Sequence, residues 1–222
     1  MTGVVLAGGR GERMGGLDKG LQPFLVERLV DHAVKRLRPQ VDRLLVVANR
    51  NLQTYAGLGC PVINDAHAES AGSAPPVSST SDSTFSHDAF KGPLAGLLAG
   101  MVACKTPWLV TVPCDSPFFP SDLVERLQGA AMEEESSLVV AATEGLSGLL
   151  LQPVFLLVHV SVQKSLREFL DAGYRSPRQW LTEQKASRVV FHEPDAFLNA
   201  NSLEDLDHLR NRRTGRPEPC VD

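Results

Sequence analysis

The chain has 222 residues, of which 43% are hydrophobic and 22% charged, and its formal net charge is -4. This composition is typical of a globular protein and excludes the basic excess that duplex nucleic acid requires, while no apolar run approaches the roughly 18 residues of a membrane span and no charged leader precedes the first strand. We therefore expect a cytoplasmic protein without a nucleic-acid or membrane partner.

Apolar strands and helices alternate along the first part of the chain. Five strands are predicted, at residues 4–7, 44–48, 61–64, 108–112 and 138–142. Apolar residues from Val26 to Leu37 recur at helical spacing until Pro39, residues 93–104 form a second helix, and Ser121 is expected to cap a third. Continuous apolar strands alternating with helices indicate a mostly parallel sheet that is covered on both faces.

The second part is less regular. The predicted elements are a strand at residues 152–158, a helix at 162–172 closed by Gly173, a helix start at Ser176-Pro177 and a strand at 188–191. Ser202 and Asp205 form a capping box for a last helix, whose core face carries Leu203, Leu206 and Leu209. We expect a single domain over residues 1–212, with halves at about 1–120 and about 121–212.

Two segments differ from the rest in composition. Residues 66–91 are rich in Ser, Ala and Pro and almost lack large apolar side chains, as do residues 213–222. Such segments bury too little apolar surface to offset the cost of ordering the chain. We therefore expect a mobile insertion at 66–91, with an ordered lid as the alternative, and a flexible tail at 213–222.

A long glycine-rich loop follows the first strand, in the stretch LAGGRGERMGGLDKG. Backbone amides of such a loop can converge on phosphate oxygens because no Cβ blocks the approach. The dinucleotide fingerprint GxGxxG fails because Met14 takes the place of its last glycine, and the P-loop fails because Leu17 and Asp18 take the places of its Lys and Ser or Thr. What remains is a loop whose Arg13 and Lys19 flank a polyphosphate, Arg as a planar fork and Lys as a point charge.

Carboxylates follow two of the predicted strands. Asp115 lies just beyond the fourth strand, on the same sheet edge as the glycine loop, where it can hold Mg2+ against a triphosphate. The alternative is that Asp115 caps the turn into the Ser121 helix. Asp65 follows the third strand and either accepts hydrogen bonds from a nucleoside or forms a turn.

The cysteines give no sign of a metal or disulfide framework. Cys60, Cys104, Cys114 and Cys220 lie far apart, without a CxxC pair or a histidine at metal-ligand spacing. Reduced thiols are therefore expected. Cys114 adjoins Asp115 but has no base near it in sequence, so we expect it to pack rather than to act as a nucleophile.

The motifs together resemble those of the molybdenum cofactor guanylyltransferases, a branch of the nucleotidyltransferases. LAGGRGERMGGLDKGL is the most specific, VIND, GPLAG and PCDSPF follow in the family's order, and FLNANSLEDL narrows the resemblance to the guanylyl branch. The resemblance covers nearly the whole chain outside residues 66–91 and the tail. It implies a Rossmann-like three-layer α/β sandwich of the nucleotide-diphospho-sugar transferase type, with a mostly parallel central sheet.

The resemblance also implies the reaction, which is transfer of GMP from GTP to the terminal phosphate of molybdopterin with release of pyrophosphate. GTP would bind the first half of the chain and molybdopterin the second, with Mg2+ on Asp115. The catalytic residues would be Arg13, Lys19 and Asp115. The nucleotide contacts implied are Leu6, Ala7, Gly8, Gly9, Arg13, Lys19, Asn49, Asp65 and Asp115. The family usually has Asn-x-Asn-Arg after the second strand, whereas this chain has Val47 in place of the first asparagine, which removes one polar contact.

The acceptor side is marked by FLNANS. Asn199 and Asn201 stand two residues apart on one side of an extended segment, where they can contact a pterin ring or serve ordinary turn and cap chemistry. The strand that begins at residues 152–155 is expected to form the floor of that pocket. Arg175 and Arg178 are candidates for the phosphate of the cofactor.

Two other functions remain open on the sequence. A cytidylyltransferase or sugar-phosphate nucleotidyltransferase would share the first motif, Lys19 and the metal-binding acid. A non-catalytic GTP-binding module is the other alternative, although a complete charge clamp argues against it. Acceptor molybdoenzymes or their chaperones are possible protein partners, and a monomer is expected.

Overall fold

The computed structural model describes residues 1–9, 15–65, 92–145 and 148–214. The predicted insertion at 66–91, the predicted site residue Arg13 and residues 215–222 of the predicted tail lie outside these ranges. Residues 213 and 214 belong to the last helix rather than to a tail. The helices in these ranges include none long and apolar enough to cross a bilayer.

The described residues form strands that alternate with helices along most of the chain. The strands are β1 (Thr2–Leu6), β2 (Pro23–Phe24), β3 (Glu27–Arg28), β4 (Arg43–Val47), β5 (Val62–Ile63), β6 (Trp108–Pro113), β7 (Leu138–Gly145), β8 (Gly148–His159) and β9 (Ser187–Phe191). The α-helices are α1 (Leu29–Leu37), α2 (Leu52–Ala56), α3 (Pro93–Ala103), α4 (Leu123–Glu133), α5 (Gln163–Asp171), α6 (Pro177–Glu183) and α7 (Leu203–Thr214).

Seven strands form one mixed sheet in the order β5-β4-β1-β6-β8-β7-β9. The pairs β5–β4, β4–β1, β1–β6 and β7–β9 are parallel, whereas β8 runs antiparallel to both of its neighbours. The predicted mostly parallel sheet is therefore confirmed, and β8 is its inverted strand. The β7–β8 register shifts between Val140 and Ala141, an irregularity that locally bends the pair.

Helices cover the sheet on both faces, as predicted, and give three layers. One apolar cluster contains the buried faces of α1 and α4, and a second contains those of α3, α5 and α6. α3 lies close to the sheet because of its small residues: a Cβ at Gly96 would lie 3.1 Å from Leu6 Cδ2, and one at Gly100 would lie 3.2 Å from Val4 Cγ2. This close approach brings the start of α3 to the carboxyl ends of β1 and β4.

A third, smaller cluster attaches the last helix to the start of the chain. Leu206 and Leu209 of α7 pack with Phe24, Leu29 and Ala200. The capping box at the start of α7 is confirmed, because the Ser202 amide donates to Asp205 Oδ2 at 2.9 Å and the Asp205 amide donates to Ser202 Oγ at 3.0 Å. The end of the chain is thereby anchored beside the β2–β3 hairpin.

Two local predictions are wrong. Val26 does not belong to the core face of α1, because it lies in the turn of the β2–β3 hairpin and is 93% exposed. The helix begins only at Leu29. Ser121 does not cap α4, because that helix starts at Leu123 with Asp122 at its N-cap position and no side-chain cap hydrogen bond. The Ser176 cap of α6 is confirmed, with its hydroxyl accepting from the Gln179 amide.

Candidate active site

The carboxyl ends of β1, β4 and β6 border a cleft of about 400 Å³. Leu6 on β1 lies level with Val47 on β4 and Pro113 on β6, so the loops after these strands begin at the same height. Ligands bind at this edge in open α/β sheets. The predicted site residues that line the cleft are Leu6, Ala7, Gly8, Gly9, Lys19, Asp65, Asp115, Asn199 and Asn201.

Lys19 connects the predicted nucleotide side of the cleft to its predicted acceptor side. Its Nζ donates to Asn201 Oδ1 at 2.7 Å and lies 3.5 Å from Asp115 Oδ2. The Lys19 side chain is 20% exposed, so its ammonium remains accessible from the cleft. Three residues predicted from separate motifs therefore meet at one point.

Asp115 is a nearly buried carboxylate at the end of β6. Burial raises the pKa of the Asp115 carboxyl above its ordinary value, and the Lys19 ammonium opposes this shift. Asp115 does not cap α4, whose N-cap position is Asp122. A single carboxylate that lines a cleft could hold Mg2+, which takes one or two carboxylates together with waters and phosphate oxygens. In the described ranges, no group of three His, Cys, Asp or Glu side chains forms a metal centre by itself.

The predicted acceptor segment lies directly against Asp115. The Ala200 amide donates to the Asp115 carbonyl at 2.9 Å, and the Ser116 hydroxyl is hydrogen bonded to Asn199 Oδ1. The Asn201 amide donates to Asp205 Oδ2 at 2.9 Å. The capping box of α7 thus holds Asn201 in the position from which its side chain reaches Lys19.

Asp65 and Asn49 form a reciprocal pair at the ends of β5 and β4. Asn49 Nδ2 donates to Asp65 Oδ2 at 2.8 Å, and the Asp65 amide donates to Asn49 Oδ1 at 3.0 Å. Asp65 lines the cleft, whereas Asn49 stands behind it. In this geometry Asn49 orients Asp65, and its own contact with a nucleotide stays a prediction.

The wall near Asp65 is apolar where the family usually has an asparagine. Val47 lines the cleft, is 1% exposed, and would lie 3.5 Å from a Cβ at Gly96. Leu6 and Pro93 line the same cleft. At this position the cleft wall therefore offers an apolar side chain in place of a hydrogen-bonding one.

Several weaker predictions have a definite place in the structure. Val154 lines the cleft, as expected for the floor of the acceptor pocket, and its carbonyl accepts from Thr111 Oγ1 at 2.6 Å. Arg175 instead donates to the carbonyls of Leu170 and Tyr174, and Arg178 does not line the cleft. Burial raises the pKa of the Cys114 thiol well above its ordinary value, which favours the packing role.

The sequence analysis missed a buried network behind Lys19. Asp18 accepts hydrogen bonds from Tyr55 Oη at 2.6 Å and Asn51 Nδ2 at 3.0 Å, and Arg50 Nε lies 3.5 Å from Asp18 Oδ2. Arg50 and Asn51 directly follow the strand-end residue Asn49 in the sequence. The available signal was the position of Asp18, Arg50 and Tyr55 shortly after predicted strands. Their spacing in the sequence does not reveal that they are in contact.

Comparison with known proteins identifies the family. The MobA-like NTP transferase domain matches residues 3–79 and 73–189 of this chain. The molybdenum cofactor guanylyltransferase of Cupriavidus pinatubonensis is 43% identical, over 93% of this chain and 94% of the relative. That of Bordetella pertussis is 40% identical, over 95% of this chain and 97% of the relative.

Solved structures share the fold. Molybdopterin-guanine dinucleotide biosynthesis protein A from Archaeoglobus fulgidus has a TM-score of 0.66 at 18% identity, covering 97% of this chain and 100% of its own. The 2-C-methyl-D-erythritol 4-phosphate cytidylyltransferase from Thermus thermophilus has a TM-score of 0.68 at 12% identity, covering 95% and 98%. The predicted fold is confirmed by both, and the sequence matches show that the chain belongs to the molybdenum cofactor guanylyltransferase family.

Proposed function

We propose that this chain transfers GMP from GTP to the terminal phosphate of molybdopterin, releases pyrophosphate and requires Mg2+. The observation that carries the proposal is the meeting of Lys19, Asp115 and Asn201 in one cleft. Lys19 belongs to the nucleotide motif and Asn201 to the acceptor motif. A nucleotide and an acceptor bound to these two sides would bring their phosphates together at Asp115.

The chemistry needs positive charge rather than a base. A phosphate monoester has a second pKa of about 6, so the attacking oxygen is already mostly deprotonated at neutral pH. That oxygen forms a bond to the α-phosphorus of GTP, and the bond from this phosphorus to the bridging oxygen of pyrophosphate breaks. The barrier lies in bringing two anions together, which fixed cations and amide groups lower.

The residues divide this work. Gly8 and Gly9 line the cleft, where their backbone amides would donate to phosphate oxygens, and Lys19 adds a cation in the same cleft. Asp115 would hold Mg2+, which supplies Lewis-acid stabilisation of the charge on the phosphates. Arg13, outside the described residues, stays a predicted second cation. Asp65 and the apolar wall at Val47 are the proposed contacts for the nucleoside.

Transfer of labelled GMP from GTP to molybdopterin tests the proposal. We expect transfer by the wild type with Mg2+, and a loss of about 100-fold or more in Asp115→Asn, as for other single electrostatic groups at a transition state. Asp31→Asn, which removes a partly exposed carboxylate of α1 outside the cleft, is the matched control. Full activity of Asp115→Asn would contradict the metal assignment.

The same assay separates the alternatives. Use of CTP in place of GTP would indicate a cytidylyltransferase, and GTP binding without pyrophosphate release would indicate a binding module. Acceptor molybdoenzymes or their chaperones, a monomeric state and a cytoplasmic location stay predictions from the sequence. None of these bears on the chemistry of the cleft.

A further inference from the structure

A side-chain network at the wall of the cleft joins the segment after β4 to the glycine loop. We call it the loop lock, and it consists of Asp18, Arg50, Asn51 and Tyr55. The first of these directly precedes Lys19, and the other three come from one short stretch at the start of α2. The lock therefore connects two parts of the chain that the sequence motifs treat separately.

Arg50 joins the two described ends of the loop. Its Nη1 donates to the Gly16 carbonyl at 2.6 Å, and its Nη2 donates to the carbonyls of Leu17 at 2.8 Å and Gly9 at 3.3 Å. The planar guanidinium has five donors in a fixed fork, so it can hold several carbonyls at once. Its side chain is only 19% exposed, which weakens competition from water.

Asp18 is the acceptor at the centre of the lock. Its side chain is 7% exposed and takes hydrogen bonds from Tyr55 and Asn51 beside the Arg50 guanidinium. Its carbonyl also accepts, from the Leu21 amide at 3.2 Å and from Gln22 Nε2 at 2.9 Å. A carboxylate this buried is stable only with such donors. Side chain and main chain of Asp18 are thus fixed together.

The local structure after β4 places the donors. Asn51 has a left-handed backbone conformation, with φ of 52°, and begins α2. Tyr55 follows one turn later and is fully buried. Burial, and secondarily the nearby Cys114 and Asp18, raise the pKa of the Tyr55 hydroxyl, so it remains a proton donor.

Gly20 shows how tightly Lys19 is enclosed. The short 3-10 turn Lys19–Leu21 packs against the lock, and a Cβ at Gly20 would lie 2.5 Å from Tyr55 Oη and 3.2 Å from Cys114 Sγ. Tyr55 cannot move away easily because its ring is buried and its hydroxyl is bonded to Asp18. The backbone on both sides of Lys19 is therefore constrained.

We propose that Arg50, Asp18 and Tyr55 are positioning residues, which hold Lys19 where it meets the phosphates of GTP. None of them needs to touch the substrate through its side chain. The lock fixes the backbone immediately before Lys19 and the turn immediately after it, so the ammonium is held in place before GTP binds. The inference rests on the proposed function, since it assigns GTP as the ligand of Lys19.

The experiment measures the Kd of GTP in the presence of MgCl2 by calorimetry, for the wild type, Arg50→Ala, Lys19→Ala and the double variant. Because hydrogen bonds to charged groups are involved, we expect Arg50→Ala to weaken GTP binding by about tenfold or more in the wild-type background. In the Lys19→Ala background, Arg50→Ala should weaken GTP binding little further, because Arg50 acts on GTP through Lys19. Arg50→Lys should not restore affinity, since a compact ammonium cannot reproduce the planar fork with which the guanidinium spans these carbonyls.

The control is Arg38→Ala. Arg38 also donates to a backbone carbonyl, that of Leu58, at 3.3 Å, but it does not contact the loop. We expect its Kd for GTP to equal that of the wild type. Thermal unfolding of each variant shows whether it is folded, and a folded Arg50→Ala with wild-type affinity would overturn the proposal.

The remaining outcomes separate the lock from the proposed reaction. Equal losses from Arg50→Ala in both backgrounds would show that the lock does not act through Lys19, and this would also overturn the proposal. If the wild type transfers GMP but Arg50→Ala leaves the affinity for GTP unchanged, the proposed function is supported and the role of the lock is rejected. Tight, Arg50-dependent GTP binding without transfer would support the lock and reject the function.

Discussion

Lys19 is approached by two regions of the molecule that are built in different ways. On the nucleotide side, the loop lock holds the backbone around Lys19 through the side chains of Asp18, Arg50 and Tyr55. On the acceptor side, the backbone amides of Ala200 and Asn201 donate to the Asp115 carbonyl and the Asp205 carboxylate, while the side chains of Asn199 and Asn201 bond to Ser116 and Lys19.

The difference predicts different sensitivity to mutation. Removing one member of a buried charged network leaves its partners unsatisfied, which costs more than the net strength of the lost bond. A segment held by its backbone keeps most of its contacts when a side chain changes. We therefore expect single substitutions in the lock to affect GTP more strongly than single substitutions around residues 199–201 affect molybdopterin.

The largest effect is expected where the two regions meet. Lys19→Ala removes the ammonium that both regions position, so kcat/KM for GMP transfer should fall by about 100- to 1,000-fold, as when one electrostatic donor is lost. Steady-state kinetics with varied GTP provides the measurement. Lys35→Ala removes an exposed lysine of α1 that is paired with Glu27 of β3, and it should leave kcat/KM unchanged. A small effect of Lys19→Ala would remove the basis of the comparison.

Gly20→Ala perturbs the loop lock most directly. Its Cβ would collide with Tyr55 Oη, so the lock must shift, and we expect the Kd of GTP to rise by about tenfold together with a lower Tm. Calorimetry and thermal unfolding test both parts. Gly129→Ala is the control, because a Cβ there meets no atom within 4 Å and Ala is favoured over Gly in the interior of α4. Unchanged GTP affinity in Gly20→Ala would indicate that the lock is adaptable.

Asp205→Ala perturbs the acceptor side most directly. It removes the carboxylate that accepts from the amides of Asn201 and Ser202, so unfolding should be easier by about 1 kcal/mol, the usual cost of a lost helix cap. The KM for molybdopterin should rise a few-fold while the Kd of GTP changes little. Asp207→Ala, on the exposed side of α7, is the control. A larger effect on GTP than on molybdopterin would reverse the assignment of the two sides.

Asp115→Asn keeps the hydrogen bond from the Ala200 amide to the carbonyl of residue 115 but removes the carboxylate charge. We expect it to change the stability of the protein and the way that stability depends on pH. Because burial raises the pKa of Asp115 in the folded state, the folded protein binds this proton more tightly than the unfolded chain. The resulting stabilisation is present at low pH and is lost as the pH rises through the raised pKa. Without ligands, Asp115→Asn should therefore have a higher Tm than the wild type at neutral pH, by a few degrees at most.

The measurement for Asp115→Asn is thermal unfolding from about pH 3.5 to 8. The difference in Tm between the variant and the wild type should shrink as the pH falls, since the Asp115 carboxyl of the wild type then becomes protonated. An advantage that is the same at every pH would show that the charge of Asp115 is not its source. The Ala200–Asp115 main-chain bond should survive in either case, because it uses only the carbonyl of residue 115.

The sequence predicted the parts of this site that follow from strand ends. Lys19, Asp65 and Asp115 each stand just after an apolar run or in its glycine loop, and parallel strands bring such positions to one edge. The capping box of α7 could be predicted as well, because caps depend on neighbouring residues. Both kinds of feature depend on residues that are close together in the sequence, so they can be predicted from one sequence.

What the sequence did not reveal depends on contacts between distant residues. The pairing of Asp18 with Arg50 and Tyr55 arises only once β1 and β4 are adjacent, and each of these residues is unremarkable alone. Val26 continues the apolar spacing of α1, yet the β2–β3 pairing turns the chain there and leaves it exposed. The inversion of β8 is likewise set by its neighbours, since an apolar strand has the same pattern in both directions.

The bond between Lys19 and Asn201 joins positions 182 residues apart in the chain. During synthesis, the ribosome delivers the first partner long before the second, so a nascent chain can complete the nucleotide loop while the acceptor segment is still missing. Contacts of such high sequence separation form late and slowly. Chains released early, before residue 199, would therefore lack both the Asn201 partner of Lys19 and the helix that packs on Phe24 and Leu29.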